Sequence, residues 1–164
     1  MEALADLPID WHMIGHLQRN KVKRTIACCN LIHSVDSQRL LKAIDRSGGE
    51  AEKVVNVLLE VNVSHESAKH GFREQELAET LELAATLNHV SVNGLMCMAG
   101  LEGDLDDARR EFASLRELQE RLQTNAADNV NLQELSMGMS GDFEVAIEEG
   151  ATLVRIGSSL FEGI

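Results

Sequence analysis

The feature that most constrains this sequence is an unbroken alternation of apolar runs with amphipathic helical stretches from Trp11 onward. The longest run, residues 54–63, is apolar except for Asn56, Glu60 and Asn62. A strand with one wet face alternates polar and apolar. A nearly continuous run suits a parallel strand covered on both faces. Shorter runs at 11–15, 31–36, 90–98, 130–137 and 153–156 complete a set of six predicted strands. Helical spacing falls between them: residues 16–29, 38–46 behind a Ser37 N-cap and ahead of Ser47-Gly48-Gly49, 74–87, 105–123 and 143–149. Strand followed by helix, repeated, predicts parallel α/β architecture. Residues 1–10 read as the remnant of a helix entering the first strand.

Two layouts fit this pattern, an open doubly wound sheet or part of a barrel. A dinucleotide fold wants Gly-x-Gly-x-x-Gly after an early strand, and the sequence has none. Its small-residue loops cluster instead after the last two strands, at Gly138, Ser140 and Gly141 and at Gly157, Ser158 and Ser159. In a (β/α)8 barrel those loops commonly hold phosphate on free backbone N–H groups. They predict a phosphate cup, with Arg155 as a cation inside the last strand or else paired with a buried carboxylate such as Glu60. A full barrel takes eight units and about 250 residues. With 164 residues, the chain is expected to be one incomplete barrel domain over residues 1–164, with about six βα units corresponding to barrel strands three to eight.

Composition narrows the function. A net charge of −12 argues against broad nucleic-acid binding and against anionic membranes. No apolar run is long enough to span a bilayer. Cys28, Cys29 and Cys97 make no disulfide framework, so a cytoplasmic setting is expected. Cys28 and Cys29 read as packing. His12 and His16 stand near a strand end, where a ligand contact or a structural histidine fits, and His12 is carried forward as a candidate contact. His12, His16 and His33 show no metal-ligand spacing, so no metal is expected.

Several stretches together carry a resemblance: Trp11 through Lys21; Leu59 to Ser64 with Lys69, His70, Gly71 and Phe72; Gly94 to Met98; and Leu135 to Phe143 with Val154, Arg155, Ile156 and Gly157. They resemble the pyridoxal-phosphate homeostasis protein family, which is similar in fold to the N-terminal barrel of alanine racemase and is often labelled putative racemase. The resemblance covers essentially the whole chain. It implies a barrel that binds pyridoxal 5′-phosphate and buffers it in vitamin B6 and amino-acid homeostasis, without established turnover. Carried over by position, Ser140, Gly157 and Ser158 contact phosphate, Arg155 faces the pyridine nitrogen, and Met137 and Met139 wall the cofactor. Ser158 stands where a Thr is usual.

The family's Schiff-base lysine is expected at the end of the first barrel strand, ahead of Met1, together with an asparagine-containing segment after the second strand. Lys21, Lys23, Lys42 and Lys69 read as helix or loop residues, and there is no Tyr to act as a second base. A non-catalytic carrier is therefore expected. The alternatives are a racemase-like pyridoxal-phosphate enzyme, or an inactive fragment that needs a partner. An open first-strand edge would favour a homodimer.

Overall fold

The computed structural model describes residues 7–64, 70–100, 103–123 and 127–161. Six strands form one sheet: β1 (His12–Met13), β2 (Leu31–Val35), β3 (Val55–Glu60), β4 (Val90–Met96), β5 (Val130–Met139) and β6 (Leu153–Arg155). All neighbours are parallel, in the order β1-β2-β3-β4-β5-β6. That order decides between the two layouts. A doubly wound sheet reverses direction at a switch point. Here each strand follows its predecessor, so right-handed crossovers put every helix on one face. The other face is the concave interior of an incomplete (β/α) barrel.

The helices are α1 (Val22–Ile26), α2 (Gln38–Glu50), α3 (Glu74–Ala85), α4 (Leu105–Leu122), α5 (Phe143–Glu148) and α6 (Ser158–Phe161), with a 3-10 turn at Arg19–Lys21 before α1. The main core lies between helices and sheet and includes Ile32, Leu41, Ile44, Val57, Leu77, Leu95, Phe112 and Leu115. A smaller cluster of Leu31, Leu58 and Met96, with Leu153 against it, fills the interior floor. The long apolar run is thus covered on both faces as its pattern predicts: Val55, Val57 and Leu59 serve the helices and Leu58 the interior.

Two helices depart from the sequence pattern. The first is only five residues long, because the Lys53 ammonium donates to the Ile26 carbonyl that another turn would have used. The second runs through Ser47-Gly48-Gly49 to Glu50. Gly48 is required by packing: an added Cβ would lie 2.9 Å from His89 Cβ and from the carbonyls of His89 and Lys53. At its start Ser37 Oγ accepts from Leu40 N–H, as the N-cap reading predicts. Residues 1–6 lie outside the described residues, and residues 7–10 carry no regular element. No helix among the described residues is long and apolar enough to cross a membrane.

Candidate functional site

The strand ends place a chain of polar side chains across the interior. Arg155, on β6, donates through one guanidinium nitrogen to Ser136 Oγ at 2.7 Å and through the other to the Cys97 carbonyl at 2.8 Å. Ser136, on β5 and fully buried, also lies 2.8 Å from His33 Nδ1 on β2. His33 Nε2 is 3.0 Å from His12 Nδ1 on β1. One assignment of protons satisfies every member. The Ser136 hydroxyl accepts from Arg155 and donates to His33 Nδ1, and His33 Nε2–H donates to His12. That assignment needs a neutral His33. Burial, then His12 and Arg155, push its pKa down to about 4.

Burial likewise pushes the Arg155 guanidinium down from its ordinary value, while Cys97, Asp142 and Glu60 hold it up. Glu60 therefore senses Arg155, but the two form no ion pair among the described residues. Arg155 is committed to Ser136 and a backbone carbonyl.

The cup lies beside this chain, in the loops after β5 and β6. Ser140 Oγ accepts from the Gly157 N–H at 3.2 Å and from the Ser159 N–H at 3.3 Å. The Ser159 hydroxyl donates to the Ser140 carbonyl at 3.4 Å. Two backbone donors from one loop thus converge on one oxygen of the other, as they would on an anion. A Cβ added at Gly157 or Gly141 meets nothing within 4 Å, so both glycines border open space. Gly138 serves packing instead: its φ is +88°, and a Cβ there would lie 2.5 Å from Ala146 Cβ. Asp142 Oδ1 accepts from Met139 N–H at 2.6 Å and closes the turn. Arg109 and Arg116 of α4 both pair with Glu149, just past α5, and tie that helix to its neighbour.

The structure brings Ser140, Gly157, Arg155 and His12 to this face and leaves Met139 at the rim, 38% exposed. Ser158 opens α6 directly after Gly157. Met137 is a correction. It is fully buried in the helix-facing core, because its neighbour Ser136 takes the interior direction and side chains alternate along a strand. Sequence reasoning assigned no role to His33 or Ser136. Both occupy interior positions of their strands, a parity signal that becomes readable once the register is known.

Across the rim, Asp36 at the end of β2 approaches two histidines. Its Oδ2 is 3.2 Å from His16 Nδ1 and 3.8 Å from His70 Nδ1. The two imidazole rings stack, with centroids 4.6 Å apart and planes 22° from parallel. His16, found without ligand spacing in the sequence, thus joins a three-residue cluster. Glu60 is close by. Its carboxyl is pushed above the usual range, first by burial and then by Asp36, with His70, His16 and Arg155 opposing.

A parallel half-barrel with small-residue loops after its last two strands and a buried arginine inside the last strand has the frame of a (β/α) barrel, the class in which those loops are a common place for a phosphate site. The sequence profile described as "Alanine racemase, N-terminal domain" matches residues 3–163, and the chain belongs to that family. It is 48% identical over 160 residues to the pyridoxal phosphate homeostasis protein of Aquifex aeolicus (strain VF5), covering 98% of this chain and 69% of that protein. The structure of PipY of Synechococcus elongatus PCC7942, with PLP bound, superposes with a TM-score of 0.88 at 36% identity, over 98% of this chain and 74% of that one. D-threonine aldolase from Filomicrobium marinum shares the fold alone, with a TM-score of 0.67 at 16% identity over 96% of this chain and 45% of the aldolase.

Proposed function

We propose that the chain binds pyridoxal 5′-phosphate as a homeostasis carrier without turnover of its own. The observation that carries this reading is the convergence of the Gly157 and Ser159 N–H groups on Ser140 Oγ, next to the desolvated Arg155. The Gly157 and Ser159 N–H groups, with the hydroxyls of Ser140 and Ser158, would hold the phosphate, and Arg155 would serve the pyridine nitrogen, with His12 and Met139 as further contacts. The likeness to PipY, whose structure holds PLP, supports the same cofactor here.

Pyridoxal 5′-phosphate supplies an aldehyde and an electron-accepting ring. The protein's part is to set how strongly that ring accepts. A cation beside the ring nitrogen disfavours its protonation and weakens the electron sink. The chain His12–His33–Ser136 holds Arg155 in that position, and burial keeps its central member, His33, neutral. The described lysines are Lys21, Lys23, Lys42 and Lys53, none of them on a strand, and the sequence has no Tyr. These features favour holding the cofactor over proton exchange at a substrate carbon.

A titration followed by absorbance, with pyridoxal 5′-phosphate and separately with pyridoxal, tests the reading. Saturable binding that needs the phosphate is expected, and Ser140→Ala should weaken it about tenfold through loss of a charge-assisted hydrogen bond. Arg155→Ala should weaken it as well and move the absorption band. Equal affinity for the two compounds, or unchanged affinity in both variants, refutes the cup. Conversion of L-alanine to D-alanine by the loaded chain refutes the absence of turnover.

A further inference from the structure

We propose that His16, Asp36 and His70 form a binding site for a first-row transition dication of the Zn²⁺ type, with a fourth position open to the adjoining pocket. The three residues come from the segments that follow three successive strands, β1, β2 and β3. Asp36 ends β2, and its Oδ1 accepts from the Ser37 hydroxyl at 3.1 Å, which turns Oδ2 toward the imidazoles. The chain beside His70 is anchored by Gly71, at φ +112°, and by Phe72, whose N–H donates to the Glu60 carbonyl at 2.7 Å and whose carbonyl accepts from Asn62 N–H at 3.0 Å. Both imidazoles direct Nδ1 at the same oxygen, and the three ligand atoms lie within 4.8 Å of one another. Ligands ~2.0–2.2 Å from a tetrahedral Zn²⁺ stand ~3.3–3.5 Å apart, so a small closing movement completes the site.

Asp36 hydrogen-bonds one of the two rings that face it. The His16 contact, at 3.2 Å, is a hydrogen bond; the His70 contact, at 3.8 Å, is too long to be one. A dication between them would take all three groups as ligands at once. Two imidazoles and one carboxylate select Zn²⁺, Co²⁺ or Ni²⁺ over Mg²⁺ or Ca²⁺. The pocket of about 770 Å³ that opens beside the cluster is also lined by Arg19 and Arg39, which favour an anionic fourth ligand.

The test is a titration of the purified chain with CoCl₂ at neutral pH, read by visible absorption, with no cofactor present and so independent of the cup. Expected are four-coordinate d–d bands that saturate at one ion per chain and are displaced by Zn²⁺. Asp36→Asn and His70→Ala should each weaken binding at least tenfold. Both retain the fold by circular dichroism, since the His70 side chain is 65% exposed and Asn preserves the shape of Asp36. The double variant Cys28→Ser/Cys29→Ser should bind as the parent does. The proposal is overturned by the absence of saturable bands, or by unchanged binding in His70→Ala. It is equally overturned by thiolate-to-cobalt charge transfer that disappears in the double-cysteine variant, which would place the ion at the Cys28–Cys29 pair.

Discussion

His33 should make the protein lose stability on mild acidification, by an amount that follows from where it sits. The ring is buried in the interior, with Ser136 on one nitrogen and His12 on the other. In the folded chain its pKa is pushed down to about 4, against 6.5 for the ordinary group. Between those values the unfolded chain takes up a proton that the folded chain refuses. Stability is therefore fully present above about pH 6.5 and falls as pH drops toward 4, with no further loss from this group below that. The displacement of ~2.5 pH units corresponds to about 3 kcal/mol when complete, and to about 2.5 kcal/mol at about pH 4.5. Glu60 works in the opposite sense. Its raised pKa contributes stability at low pH that is lost as pH rises, so it offsets part of the His33 effect. Comparison with His33→Gln isolates the histidine. The variant should be less stable at neutral pH by roughly 1–2 kcal/mol, from imperfect hydrogen bonds to Ser136 and His12, yet lose less stability on acidification than the parent does. Urea unfolding of both proteins at about pH 7 and about pH 4.5 measures the difference, and the His33 ring signals in an NMR titration give its pKa directly. Equal losses in parent and variant, or a His33 that titrates near 6.5, would refute the neutral hydrogen-bonded chain that holds Arg155.

Three further outcomes are expected. Gly48→Ala, ordinarily stabilising inside a helix by up to about 1 kcal/mol, should here lower the urea midpoint, because the added Cβ meets His89 and Lys53 backbone at 2.9 Å. Phe112→Ala should cost about 3–5 kcal/mol in the same assay, since this fully buried ring sits among the largest side chains of the helix-facing core. Cys29, with its thiol pushed up to about 11 by burial and then by Cys28, should resist iodoacetamide at neutral pH and become reactive only near that value; rapid alkylation of Cys29 in the Cys28→Ser variant, located by peptide mass spectrometry, would contradict the burial argument.

Much of the fold was legible because it is written in local patterns. The near-continuous run at 54–63 states a doubly covered strand, and its apolar residues divide between the two faces of β3 as the pattern requires. Ser37 marks the start of α2 one residue ahead of Gln38. Gly157 and Ser140 mark small-residue loops after the last two strands, and the two meet at 3.2 Å. Helix α2 runs past Gly48, where local glycine chemistry predicts a stop, because the contact that demands glycine there comes from His89, far along the chain.

The sequence by itself determined the alternation of elements, the parallel α/β class and the small-residue loops of the cup, because hydrophobic period and turn chemistry are fixed by neighbours along the chain. Only the tertiary structure decided which side chains meet. His33 and Ser136 are 103 residues apart, and His16, Asp36 and His70 come from three separate strand ends. The physical reason is register. The pairings shift between Ile32 and Val35, Val57 and Leu58, Val92 and Gly94, and Ser136 and Met139. Each shift resets which residues face the interior, and sheet curvature then sets what they reach. The family resemblance, carried over by position, puts Met137 in the cofactor wall. The folded strand turns it to the helices and gives the interior to Ser136, which holds Arg155 in place.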